Sequence, residues 1–221
     1  MRFYVLGLLM LFGCAALPFG YRPELGKTVV MIINPVLRVG GTGVILDHSF
    51  AVSHVLTNRH VCKSMSPATF IINEDNEEWL VGSYKESKVT DLCLITVLGD
   101  MRTSAKLSIL PAKVKDHIVT MGHPRLRPLT VATGNVTAET IMLMDIGAFK
   151  CFTTTAQVDF GASGSPVFND NGLMVGLVFA MDGDRSMAFI SLAHIRYFLD
   201  LEIPKLLDQY IPYTLLNKDT K

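Results

Sequence analysis

The sequence has no net charge, few cysteines, no internal repeat and no low-complexity tract. Its 221 residues carry twenty Lys+Arg against twenty Asp+Glu. A balanced chain lacks the basic field that attracts nucleic acid or anionic membrane surfaces, so neither is an expected partner. Four cysteines are too few for a disulfide scaffold and show no paired metal-ligand spacing. Without a fixed period, helical solenoids and bladed propellers are excluded. What is abundant is apolar: 49% of residues are hydrophobic and 18% charged. That is too apolar for a disordered protein and enough for a sizeable core.

The N-terminus is expected to be a targeting segment, residues 1–16. Arg2 gives a positive start, residues 5–17 are almost wholly apolar, and Gly13, Cys14, Ala15 and Ala16 supply small residues for signal-peptidase cleavage near Ala16. Two other readings stay open. Leu11-Phe12-Gly13-Cys14 resembles a lipoprotein box with Cys14 acylated, and the uncharged run 3–21 is just long enough for a tilted membrane anchor. Each places the remaining chain outside the cytoplasm, secreted or periplasmic, with membrane contact only through this segment if it is retained or acylated. Export permits a disulfide. Cys62, Cys93 and Cys151 remain, an odd number. The expectation is that all three are small buried core residues.

From Lys27 onward, short apolar runs alternate with turn residues. They fall at 28–33, 42–46, 50–56, 69–72, 79–84, 92–97, 118–121, 129–133, 140–144, 152–158, 166–168, 173–180 and 187–190. Such spacing predicts an all-β protein, an antiparallel sandwich or barrel pair. The runs divide into halves at about 27–97 and 112–190, joined through 98–111. Helical periodicity appears late, at 192–201, where Leu192, Ile195, Tyr197, Phe198, Leu199 and Leu201 give a mostly apolar helix expected to pack on the barrel. Pro204 opens a further short helical stretch. Residues 201–221 read as a tail, leaving no second domain after the helix.

Three local patterns carry chemistry. Val55-Leu56-Thr57-Asn58-Arg59-His60-Val61 reads as a strand ending in a tight turn. Thr90-Asp91-Leu92-Cys93-Leu94-Ile95 places an acid at the mouth of a strand. Gly161-Ala162-Ser163-Gly164-Ser165-Pro166-Val167 is a glycine-flanked serine loop. A serine hydroxyl is a weak nucleophile and needs an adjacent base. Imidazole suits that task at neutral pH. The imidazolium that forms needs a carboxylate to fix its tautomer and stabilise its charge. The oxyanion needs preorganised donors, and a glycine two residues before the serine lets two N–H groups point at one spot.

In this order the motifs resemble trypsin-like serine proteases of the chymotrypsin fold, most of all the Do-like (HtrA-type) and glutamyl-endopeptidase-like branches. Gly41-Thr42-Gly43-Val44 resembles the family's Gly-Ser-Gly strand, and Leu56-Thr57-Asn58-Arg59-His60-Val61 its Leu-Thr-Asn-x-His-Val. Gly122-His123-Pro124 with Thr130-Val131-Ala132-Thr133-Gly134, the 161–166 loop, and Val175-Gly176-Leu177 match further elements. The resemblance implies two six-stranded antiparallel barrels with a C-terminal helix, the protease domain covering 27–200. It implies an exported serine endopeptidase acting on peptide or protein substrates, with no cofactor and no metal. Ser163 is then the nucleophile, His60 the general base and acid, and Asp91 the orienting carboxylate. Gly161 and Ser163 form the oxyanion hole. Strand 177–181 pairs with substrate, and Gln157, Val158, Phe179, Ala180 and Met181 line the specificity pocket with 187–189.

The chain departs from that pattern in several places. Ala162 stands where zymogen-activated relatives carry Asp, which excludes activation by that ion pair. Phe179 stands at a position often held by Ser, so Asp91 is expected to lose a hydrogen bond. Arg59 is expected to point outward. No acid lies at the pocket base and no pocket histidine is evident, which leaves a small or medium apolar side chain as the expected preference. No stretch remains for a PDZ module. His48, His54, His117, His123 and His194 read as structural or surface residues. Glu77-Glu78 and Asp182-Asp184 read as solvated turns. Two other functions remain in view: a catalytically silent binding protein on this fold, and a membrane-anchored interaction protein.

Overall fold

A computed structural model describes residues 22–181 and 185–203. The expected leader, Asp182-Asp184 and the stretch after Pro204 lie outside the described residues. Twelve strands form two closed six-stranded antiparallel barrels. The first contains β1 (Val29–Asn34), β2 (Val39–His48), β3 (Val52–Thr57), β4 (Phe70–Ile72), β5 (Glu78–Glu86) and β6 (Cys93–Leu98), ordered β1-β2-β3-β6-β5-β4. The second contains β7 (His117–Gly122), β8 (Thr130–Met144), β9 (Gly147–Gln157), β10 (Pro166–Phe168), β11 (Met174–Met181) and β12 (Ser186–Ser191), ordered β10-β11-β12-β9-β8-β7. Helix α1 (Pro23–Gly26) precedes the barrels, α2 (Arg59–Lys63) follows β3, and α3 (Leu192–Glu202) follows β12.

The near-continuous apolar runs have a simple cause. A strand at the barrel–barrel interface is buried on both faces. In β1, Val30 and Ile32 fill the first barrel, whereas Val29 faces the interface; in β6, Cys93, Ile95 and Val97 point inward and Leu94 outward. The second barrel repeats this in β11, where Val175 and Val178 fill the interior while Leu177 and Phe179 join the interface. Leu192, Ile195, Phe198 and Leu199 of α3 pack into that same interface cluster. The helix therefore adds a narrower stripe to the layer between the barrels than expected: Tyr197 and Leu201 fall on its outer side and are exposed.

Two expectations need correction. Cys62 and Cys93 are not free core thiols: they form a disulfide, and among the described residues Cys151 is the one free cysteine, buried. Closure of the first barrel brings α2 over β6, a long-range proximity that cysteine counting cannot reveal. The runs 129–133 and 140–144 belong to one strand, β8, which carries an irregularity between Val136 and Ala138. Residues 134–139, Gly-Asn-Val-Thr-Ala-Glu, separate the two runs with turn-forming and polar residues that hid the continuity.

Candidate active site

Strand β3 delivers Thr57 to the barrel mouth, and Asn58 breaks it in an extended conformation that opens α2. Asn58 Nδ2 donates to the Asp91 carbonyl at 2.9 Å. Opposite, Ser87 shapes the turn before Asp91: its Oγ accepts from the N–H groups of Val89 and Thr90, and Leu92 O accepts from its own N–H. The two turns bring His60 and Asp91 together. His60 Nδ1 lies 2.6 Å from Asp91 Oδ2, and the His60 N–H donates to Oδ1 at 3.0 Å. Asp91 is buried, whereas the His60 side chain is 47% exposed. Since a carboxylate only accepts, Nδ1 carries the hydrogen and Nε2 keeps the ring's lone pair. Arg59 does not simply point outward: its Nε donates to Glu86 at 2.9 Å, bracing α2 against the end of β5. Both hydrogen bonds to the Asp91 carboxylate come from His60. Phe179 instead packs edge-on against Phe149.

Ser163 lines the same cavity as His60, with a volume of about 740 Å³. Val158, Ala162, Val178, Phe179, Ala180 and Met181 give it apolar walls, and Arg125, Asp159 and Arg185 stand at its polar side. Gly161 and Gly164 both have left-handed backbone, φ +92° and +87°. Among the described residues, no recorded acceptor takes the N–H of Gly161 or of Ser163. The Phe160 carbonyl accepts the Arg125 N–H, which turns the opposite end of that peptide, the Gly161 N–H, away from Arg125. Arg125 and Leu126 are themselves left-handed at φ +55° and +54°. The Arg125 guanidinium pairs with Asp159 at 2.8 Å, and Arg185 approaches to 3.9 Å. The Phe160 N–H and then Arg125 hold the Asp159 carboxyl below the usual carboxylate range, against the opposing pull of desolvation.

Not every expected pocket residue reaches this cavity. Val158, Phe179, Ala180 and Met181 do; Gln157 lines a separate small cavity with Thr120 and Ser165, and Met187–Phe189 are buried in the second barrel and the interface. The residues missed from sequence are Arg125, Asp159 as an ion-pair partner, and Arg185. Pro124 was the only local signal, and it marks a turn without announcing its left-handed residues. Other histidines pair elsewhere: His48 with Asp100, His117 with Asp170, His194 with the Lys150 N–H.

The sequence matches the model of the trypsin-like peptidase domain over residues 41–177, well over half of its length. The chain belongs to the trypsin-like peptidase family. As a member it is a serine-protease hydrolase, with peptide or protein substrates. No curated protein matches it. Among solved structures it is similar to the inactive form of Rv3671c from M. tuberculosis H37Rv carrying Ser343Ala, at 19% identity and TM-score 0.69, covering 85% of this chain and 90% of that one. It is also similar to the HtrA-type protease AlgW with a decapeptide, at 14% identity and TM-score 0.68, covering 84% and 73%. At these identities the likeness is one of fold. Among the described residues no helix is long and apolar enough to cross a membrane.

Proposed function

We propose that this chain is an exported serine endopeptidase that cleaves peptide bonds through Ser163, His60 and Asp91 and an acyl-enzyme. The observation that carries the reading is the 2.6 Å His60–Asp91 contact beside a cavity that His60 shares with Ser163. His60 Nε2 takes the Ser163 proton as Oγ attacks the scissile carbonyl, then returns it to the leaving amine. Asp91 holds the ring and balances the imidazolium. The unengaged N–H groups of Gly161 and Ser163 receive the oxyanion. An extended substrate adds beside β11. The pairing of β10 with β11 begins at Pro166↔Leu177, and Val178 exchanges backbone hydrogen bonds with Gly164 and Ser165. Ala180 and Met181 have no recorded strand partner on that side among the described residues. The apolar walls, with Asp159 engaged by Arg125, favour a small or medium apolar side chain in the pocket.

The leader-like N-terminus favours export, and the Cys62–Cys93 disulfide fits an oxidising compartment. A fluorophosphonate probe tests the catalytic reading against a silent binding protein. Labelling of wild type but not of Ser163→Ala, with His60→Ala slowed by orders of magnitude, is the expected result. A folded wild type that does not label overturns it.

A further inference from the structure

We infer that Thr42 is a positioning residue for the oxyanion site, an inference that rests on the catalytic reading above. Thr42 lies on β2 of the first barrel, fully buried, and is not among the residues that line the cavity. Its reach is into the second barrel. The Thr42 Oγ1 hydroxyl donates to the Gly161 carbonyl at 2.9 Å. The same oxygen accepts the His123 N–H at 2.9 Å. The Thr42 N–H donates to the Ser163 carbonyl at 2.8 Å. The Thr42 carbonyl accepts the Thr57 hydroxyl at 2.7 Å, at the end of the strand that leads to His60.

The order of these peptides gives the bonds their meaning. The oxyanion donors are the N–H of Gly161 and the N–H of Ser163. The peptide between them carries the Gly161 carbonyl, and the peptide after them carries the Ser163 carbonyl. Thr42 grips both. The loop also holds itself: the Ala162 N–H donates to Asp159 O, the Ser165 N–H to Ala162 O and the Gly164 N–H to Val178 O. The Phe160 carbonyl is held by the Arg125 N–H, and the turn that carries Arg125 starts at His123, whose own N–H ends on the Thr42 hydroxyl. The Thr42 hydroxyl therefore holds the carbonyl end of the link between the two donors, whose N–H end is held by Asp159 O, and it anchors the turn that orients the first of them. A hydroxyl has one proton, committed to Gly161 O, and a lone pair committed to His123 N–H. Valine has the same outline and can do neither.

The test uses the full chain and a fluorophosphonate probe, with the maximal labelling rate read separately from probe affinity. Fluoride leaves phosphorus as Ser163 Oγ bonds to it, so the rate reports how well the site receives the developing charge. Thr42→Val is expected to lower the maximal labelling rate by on the order of 10²-fold, with probe affinity nearly unchanged, since a catalytic group misplaced by about 1 Å costs that much. Thr42→Ser retains the hydroxyl and is expected to restore the rate to within a few-fold of wild type. Thermal melting shows whether each variant is folded, and Thr42→Ala serves as the second hydroxyl-free variant. A folded Thr42→Val or Thr42→Ala that labels as fast as wild type overturns the inference and leaves the catalytic reading intact. A Thr42→Ser as slow as Thr42→Val overturns it as well. If neither hydroxyl-free variant folds, the hydroxyl serves stability and the inference falls. A wild type that does not label removes the catalytic reading and this inference together.

Discussion

The two halves of the site are held by different means. The His60–Asp91 half is built within the first barrel. Both residues flank adjoining strands, each carboxylate oxygen of Asp91 accepts from His60, and a disulfide joins residues just beyond them, Cys62 and Cys93. The Ser163 half is a loop of the second barrel. Its shape depends on left-handed residues at Gly161, Gly164, Arg125 and Leu126, and on hydrogen bonds that cross to Thr42 in the other barrel. The proposed acid–base pair is over-determined locally. The proposed nucleophile, Ser163, sits on a loop held partly by its own turns and partly across the interface by Thr42, so a small error at the interface reaches it directly.

That contrast breaks most visibly at Gly164. Its φ of +87° disfavours any side chain, and a Cβ there would collide with the Thr42 carbonyl and the Thr57 hydroxyl. Gly164→Ala is expected to displace the loop and lower turnover by on the order of 10²-fold or more, with a visible loss of melting temperature. Activity within about tenfold of wild type, on the same order-of-magnitude scale, would mean that the loop is not fixed by its neighbours.

Removing the cross-link tests the other half. The disulfide closes a sequence separation of 31 residues, for which loop-closure entropy gives about 3–4 kcal/mol. Cys62→Ala/Cys93→Ala is expected to melt roughly 6–16 °C lower, at about 2–4 °C per kcal/mol for a chain of this size. Reduction of the wild type should give a similar shift, which separates the cross-link from the packing lost in the variant. Well below the transition, labelling of Ser163 should be nearly unchanged, because hydrogen bonds rather than sulfur hold Asp91 to His60. An equal collapse of labelling at low temperature would show that the acid–base half is not locally sufficient.

The same contrast explains what could be read from the residues alone. The barrels were legible because β-branched and apolar runs recur with turn residues between them. His60, Asp91 and Ser163 could be picked out as candidates because each sits in a local motif, and the structure sets His60 against Asp91 and lines one cavity with His60 and Ser163. The disulfide was not legible: Cys62 and Cys93 meet only once β3 has paired with β6 along its full length, from Val52↔Leu98 to Thr57↔Cys93. Nor was the Arg125–Asp159 pair, which joins two separate loops, or the left-handed backbone of Arg125 and Leu126, which no residue type announces. Thr42 was visible only as one letter of a strand motif. Its role lies in four partners spread over the chain. Local chemistry is written in local sequence, whereas contacts between barrels are properties of the closed fold.

Acid is expected to act unequally on the two halves, with the smallest effect of the three. His123 is buried, and its Nδ1 lies 3.0 Å from the Arg127 carbonyl. A carbonyl only accepts, so Nδ1 carries the hydrogen, and Nε2 is a buried lone pair without a recorded partner. Charging the ring would place an unpaired N–H in that burial. Burial accordingly pushes the His123 imidazole below its ordinary value, the Arg127 carbonyl opposing. Burial and then Lys150 do the same to His194. The unfolded chain therefore binds protons below about pH 6.5 that the folded chain still refuses. Stability should be fully present above that pH and fall as the pH drops toward the depressed folded values. The slope is at most about 1.4 kcal/mol per pH unit for each proton. Both groups belong to the second-barrel side, and His123 opens the turn that supports the Ser163 loop. His123→Asn keeps a donor for Arg127 but cannot titrate, so melting curves between about pH 7.5 and 5.5 should flatten in that variant. An unaltered slope would place the acid sensitivity elsewhere and remove the link between protonation and the Ser163 loop.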